Sequence, residues 1–213
     1  SYLAGAFSDF LSIKYAHCAK EILQNLTTAF KKLRIRSNPD LLPPLEIVGG
    51  WRTNEDNFLE MRAEIETVIG AAVSAIGPDA VLGCLPLNLT DASGSKPGRA
   101  WMIPLIRDNT CNSRLAIFVQ EFLPLIQFFD EKVTALPSDS VQSKVFETVS
   151  GQLWSTLPNF ANLPTDLRDS FSDQFAADLS SLLYSKVDLR PIICHAIKNL
   201  VESNVQHASL LDD

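Results

Sequence analysis

Cysteine, histidine and methionine are scarce in this chain of 213 residues, with four, three and two copies. The cysteines (Cys18, Cys84, Cys111, Cys194) lie far apart, with no Cys-x-x-Cys or His-x-x-x-His step, so a zinc site lacks its ligand spacing. The neighbours His17-Cys18 and Cys194-His195 would point about 100° apart on a helix, and the thiols read as reduced core groups of a cytosolic or nuclear protein. No apolar run approaches the ~18 residues of a membrane-spanning helix, and no signal sequence opens the chain. The glycosylation triplets at Asn25 and Asn88 therefore have nothing to support them. With no initiator Met, the chain is expected to be a piece of something longer.

Catalytic signatures are missing as well. There is no Gly-x-Ser-x-Gly and no set resembling a catalytic triad. The loop Ser93-Gly94-Ser95-Lys96-Pro97-Gly98 resembles an anion cradle, but Arg99-Ala100 follows where a nucleotide-binding loop needs Gly-Lys-Ser/Thr, and no strand precedes it. No enzyme, cofactor, metal, small-molecule substrate or membrane partner is expected. Positive charge is in deficit, 18 Lys and Arg against 25 Asp and Glu, for a net charge of −7 and a pI near 5.0. A surface basic all over, able to grip nucleic acid through many phosphates, is excluded; local basic patches are not.

What is present is ordinary globular composition, 46% apolar and 20% charged, arranged with helical period. Residues 2–36 read as one helix, stopped by Ser37-Asn38-Pro39, and a Pro- and Gly-bearing connection over 37–52 follows. Asn54 or Thr53 is placed to cap a helix with Phe58, Met61, Ile65, Val68, Ile69, Ala72 and Ile76 on its core face and Glu55, Glu60, Glu64 and Glu66 on or near its wet side. Gly77-Pro78 breaks it, and a short helix runs over 79–84. Residues 84–109 form a corner whose polar loop no core could absorb, closed by a helix over 99–109.

Ser113 is placed to cap the next helix, which Pro124 kinks or splits. Ser140 caps another carrying Val141, Val145, Val149, Leu153, Trp154 and Leu157, ending at Pro158. A helix over 165–185 then opens at Pro164-Thr165-Asp166, and a last one covers about 188–206. No strand alternation or hairpin signal appears, so the class is all-α. Leu-Pro steps recur at Pro86, Pro124 and Pro158, 34 to 38 residues apart, which suits a HEAT or armadillo-like α-solenoid of antiparallel helix pairs.

Several uncommon words occur in order: LPLNL (85–89), GRAWMIPLIRDN (98–109), FVQEFLPL (118–125) and LWSTLPNFANLPTDL (153–167). Together, over about residues 51–204, they resemble the central domain of the ribosomal RNA processing protein 12 family of nucleolar helical-repeat proteins. The resemblance implies the same solenoid, with 1–36 in a preceding repeat, 37–52 a connection and 53–206 the family-like repeats. It also implies a non-enzymatic scaffold of pre-ribosomal particles in small-subunit (pre-40S/90S) assembly, rRNA processing and nuclear export. Expected partners are ribosomal proteins, assembly factors and pre-rRNA, with links to the Ran GTPase and nucleoporins, and the expected place is the nucleolus and nucleus, with shuttling to the cytoplasm. A karyopherin-like adaptor outside ribosome assembly and a helical regulatory domain of a larger enzyme stay open.

Lys31, Lys32, Arg34 and Arg36 crowd the end of the first expected helix, where cations complement the helix dipole or meet an anionic partner such as an RNA backbone. Lys96 and Arg99 are a second candidate phosphate contact. Trp101 and Trp154 fall within apolar patterns and read as core. Arg107-Asp108-Asn109 reads as a helix cap and tie.

Overall fold

The structure, a computed structural model, describes residues 2–53, 58–91 and 93–211. It divides into two compact units, Ser1–Asn109 and Thr110–Asp213, and every regular element among the described residues is helical.

The first unit runs α1 (Tyr2–Phe10), a 3-10 segment (Ile13–Cys18), α2 (Ala19–Leu33), a 3-10 turn (Arg34–Ser37), α3 (Leu42–Thr53), a 3-10 turn (Leu59–Met61), α4 (Arg62–Ile76), α5 (Pro78–Cys84) and α6 (Met102–Asn109). Its centre is α4, which packs against α2, α3, α5 and α6. Ile65, Val68, Ile69 and Ala72 are wholly shielded there, and a helix apolar around so much of its circumference is stable only when surrounded. At Gly77 the chain takes φ 88°, which glycine tolerates, and Pro78 opens α5 where a missing N–H costs nothing, as expected.

Four expectations fail here, the first two because tertiary packing overrides local pattern. The single helix over 2–36 is broken, because α1 packs on α3 as well as on α2, and Tyr15 (φ −112°, ψ 20°) carries the bend. The supposed connection over 37–52 is mostly α3. Pro43 and Pro44 fall in its first turn, and Leu41, Leu45 and Val48 are fully buried at helical spacing. Gly49 sits where a Cβ would stand 2.4 Å from a Leu85 methyl, so its place in a helix follows from close packing. Thr53 closes α3 instead of capping its successor, its hydroxyl donating to the Gly49 carbonyl at 3.1 Å; Asn54 and Glu55 lie outside the described residues. The helix expected over 99–109 begins three residues later, at Met102.

The second unit runs α7 (Leu115–Ile117), a wide π turn (Phe118–Phe122), α8 (Leu123–Ala135), α9 (Val141–Trp154), α10 (Leu157–Phe160), α11 (Leu167–Ser170), α12 (Asp173–Ser185), a 3-10 turn (Val187–Leu189) and α13 (Arg190–Leu211). A proline ring clashes with the carbonyl four residues earlier; the widened turn just before Pro124 is how the helix absorbs it. Phe118 becomes the hub of the core, its ring 5.7 Å from Trp154, 6.0 Å from Phe160 and 6.4 Å from Phe175. The short loop 136–140 makes α8 and α9 antiparallel neighbours. Ser140 caps α9 as expected, accepting from Ser143 N–H at 3.1 Å.

The buried face of α9 is not the expected one. Ser143, Ser150, Leu153 and Trp154 are buried, while Val141 and Val145 are 79% and 51% exposed. Small serines let α8 approach, Phe146 meets Phe129 at 5.6 Å, and Ser150 donates to Asp130 at 2.8 Å. The expected helix over 165–185 breaks at Phe171, and Ser172 recaps it by accepting from Phe175 N–H.

Ser113 does not cap α7. Asp166, about fifty residues away, does so, accepting from the N–H groups of Leu115 at 2.6 Å and Ala116 at 3.1 Å, and from the Ser170 hydroxyl at 2.7 Å. Two backbone bonds tie the same segments, Asn112 N–H to Asn162 O and Thr165 N–H to Ser113 O, each 3.0 Å. Partial burial disfavours the carboxylate, but the hydrogen bonds from Ser170, Ala116 and Leu115 outweigh it and hold the Asp166 carboxyl below its ordinary value. Its stabilising effect is therefore full above the unfolded aspartate pKa and fades as pH falls through the lowered native one. Asp166→Ala should cost about 1–2 kcal/mol in urea unfolding at neutral pH, with the gap between variant and parent narrowing as pH falls below the unfolded aspartate pKa and through the lowered native one. A parent-variant difference that is absent at neutral pH, or unchanged in acid, contradicts this assignment.

Candidate functional site

The cation cluster at the end of α2 is as exposed as its sequence implies. Lys31 and Lys32 occupy the last turn, and Arg34 and Arg36 the 3-10 turn that follows. All four are exposed, and none forms a salt bridge among the described residues. Arg34 adopts φ 52°, and its carbonyl accepts from the buried Ser37 hydroxyl, which fixes the turn presenting the two arginines. The cluster belongs to a wider asymmetry. Residues 1–36 hold six cations against two acids, Asp9 and Glu21, while residues 37–213 hold 12 cations against 23 acids.

The second candidate is differently built. In the loop after α5, the Asp91 carboxylate accepts from the backbone N–H groups of Ser93 and Lys96, both at 2.9 Å, and from the hydroxyls of Ser93 and Ser95. The Ser93 hydroxyl, followed by these N–H groups, holds Asp91 down to a pKa of about 2. An anion cradle needs free N–H groups; here a resident carboxylate already takes them. Arg99 donates its N–H to Leu87 O and a guanidinium N–H to Pro86 O, both at 2.7 Å, so its head group closes the corner. Only the exposed Lys96 side chain is left pointing a charge outward. The structure thus does not bring Lys96 and Arg99 together with the α2 cluster into one described contact network.

Trp101 is half-buried, with the Arg52 guanidinium 4.7 Å from its ring centre. Arg52 is itself 4% exposed, and its Nε–H donates to Glu66 at 2.9 Å; Arg62 reaches the same carboxylate oxygen at 3.2 Å. Beside them, Trp51 and Phe58 stack at 4.5 Å with planes 4° apart. Nothing in the local sequence signalled Arg52, because its partners come from α4 and from the corner. Trp154 is buried in the second core, as expected. Arg107 pairs with Asp108, whose carboxylate accepts from its Nε–H at 2.7 Å, and Asn109 donates to Leu105 O, closing α6.

The thiols are not core groups: Cys111 and Cys194 are exposed and Cys18 and Cys84 half-buried, all four free. Burial, helped by Glu46 and opposed by Arg99, pushes Cys84 up to about 11, so it stays protonated and unreactive at neutral pH. Among the described residues no group of three His, Cys, Asp or Glu could hold a metal ion, and no helix is long and apolar enough to cross a membrane.

A family model described as ribosomal RNA-processing protein 12, HEAT repeats, matches residues 1–212. The chain belongs to the ribosomal RNA-processing protein 12 family. The Saccharomyces cerevisiae ribosomal RNA-processing protein 12 is 55% identical over 98% of this chain and 17% of its own length. A putative ribosomal RNA-processing protein 12 from Schizosaccharomyces pombe is 37% identical over 99% of this chain and 18% of its own length. The human RRP12-like protein is 29% identical over 94% of this chain and 16% of its own length. The chain therefore spans about a sixth of the length of these curated relatives.

Trp101→Ala removes a ring wedged against a shielded guanidinium and should lower stability by about 2–4 kcal/mol in chemical unfolding. A loss under about 1 kcal/mol would show that the ring is free to serve a partner instead.

Proposed function

We propose that this chain is part of a non-enzymatic helical-repeat scaffold in ribosome biogenesis. It acts in the assembly of small-subunit precursors (pre-40S and 90S particles), in rRNA processing and in nuclear export. The observation that carries the reading is the family match along residues 1–212, with relatives named for ribosomal RNA processing. The surface fits it: most apolar stripes are spent on packing between neighbouring helices.

The acidic stretch 37–213 suits basic ribosomal proteins or basic tails of assembly factors. The cluster of Lys31, Lys32, Arg34 and Arg36 is the place for an anionic partner. Pre-rRNA, the Ran GTPase and nucleoporins are partners of the whole scaffold in this reading, and the nucleolus and nucleus, with shuttling to the cytoplasm, its location.

Affinity purification of the tagged full-length protein should recover small-subunit rRNA precursors and their assembly factors, and its depletion should make those precursors accumulate in the nucleus. Recovery of transport cargo with no precursor particle, and unchanged rRNA processing on depletion, would replace this reading with that of a karyopherin-like adaptor.

A further inference from the structure

Beside the cation cluster the first unit has an open groove of about 440 Å³ between α1 and α2. Leu3, Phe7 and Phe10 line it from α1; α2 lines it with Ile22, Ala29 and Lys32, and with the polar Asn25 and Thr28 between them. The spacing is that of one face on each helix: three, seven and ten on α1, and 22, 29 and 32 on α2. Phe7 and Ile22 form a floor at 9% exposure, while Leu3 and Phe10 stay 44% and 45% exposed on the rim. A trough between two helices, apolar along α1 and mixed apolar and polar along α2, is a shape into which the apolar side of a third helix packs. The α2 stripe from Ile22 to Lys32 is about 15 Å long, roughly three helical turns.

Charge selects the occupant. The α2 stripe ends on Lys32, and Lys31, Arg34 and Arg36 stand exposed at the same end without a salt bridge among the described residues. Within residues 1–36 only Asp9 and Glu21 oppose six cations. A phosphate backbone would use the cations but leave Leu3, Ile22 and Ala29 without a role. An amphipathic helix uses both.

We propose that the α1–α2 groove binds a short amphipathic helical segment of a protein partner. Its acidic residues meet Lys31, Lys32, Arg34 and Arg36, and its apolar residues, at i, i+4 and i+7, fill the trough. Acids are at home in the first turn of a helix, so the segment runs antiparallel to α2 and its acidic residues precede its apolar ones. The inference rests on the reading of the cluster as an anion site and is independent of the ribosomal assignment.

The test is selection of a phage-displayed random 16-residue peptide library on the chain. Synthetic copies of the winners are then titrated by fluorescence anisotropy against the parent, Leu3→Asp, Phe10→Asp and the double variant Lys31→Glu/Lys32→Glu. Winners should carry acids followed by apolar residues at helical spacing, and each variant should weaken them at least tenfold while keeping the parent's circular dichroism. The two α1 variants and the charge variant sit on different elements, so a folding defect in one leaves the others to decide. Winners without acids, or indifferent to Leu3→Asp and Phe10→Asp, overturn the proposal. So does a 20-nucleotide oligouridylate that binds more tightly than any peptide and ignores the α1 variants, which makes the surface an RNA site. Two further results also overturn it: a dimer in sedimentation that Phe10→Asp abolishes, and failure of the full-length protein to bind the winners, which shows the groove filled from within.

Discussion

An amphipathic helix shorter than about fifteen residues has little stability of its own, and most helices in this chain are that short. Each persists because a neighbour covers its apolar stripe, and the two units solve the problem differently. The first surrounds one helix, α4, with four others. The second gathers aromatic rings from the π turn, α9, α10 and α12 around Phe118. Frequent breaks follow from the same requirement, since a chain that must return within a few residues needs corners. Every corner frees backbone N–H and carbonyl groups that burial would penalise. The carboxylate of Asp166 at the start of α7 and the hydroxyl of Ser37 on the Arg34 carbonyl answer that penalty.

Legibility in the sequence follows how local the cause is. The core face of α4 from Ile65 to Ile76 (though not its expected start at Phe58 and Met61), the break at Gly77-Pro78, the cap at Ser140 and the disturbance at Pro124 were all readable, because each depends on residues within one or two turns. What escaped depends on distant partners. Prolines and glycines made α3 look like a connection, although Gly49 is there for the sake of Leu85. Nothing near residue 115 announces that residue 166 caps it. The valines of α9 looked like a stripe, yet α8 offered a better fit to Ser143, Phe146 and Ser150. The family resemblance, carried by words at the corners, held where periodicity misled.

The exposure of the α2 cations was legible, and the setting of the loop pair only half so. Lys31, Lys32, Arg34 and Arg36 are exposed as four cations near a helix end should be. Lys96 and Arg99 looked equivalent from composition, but Asp91 and the Pro86 carbonyl claim the groups an anion would need. The groove beside the cluster had no signal at all, since it exists only because α1 turns off the line of α2. Burial of apolar stripes thus accounts for the fold, and the incomplete burial of the α1 and α2 stripes, next to a concentration of positive charge, is the basis of the docking proposal.

Hydrogen exchange followed by mass spectrometry on the native chain measures most directly whether the two cores lie where this account puts them. It predicts the slowest amides in residues 65–76 of α4 and in the Phe118–Phe122 turn, with residues 93–98 and the first turn of α9 exchanging fast. Uniform protection along the chain, or slowest exchange outside α4 and the π turn, would contradict it.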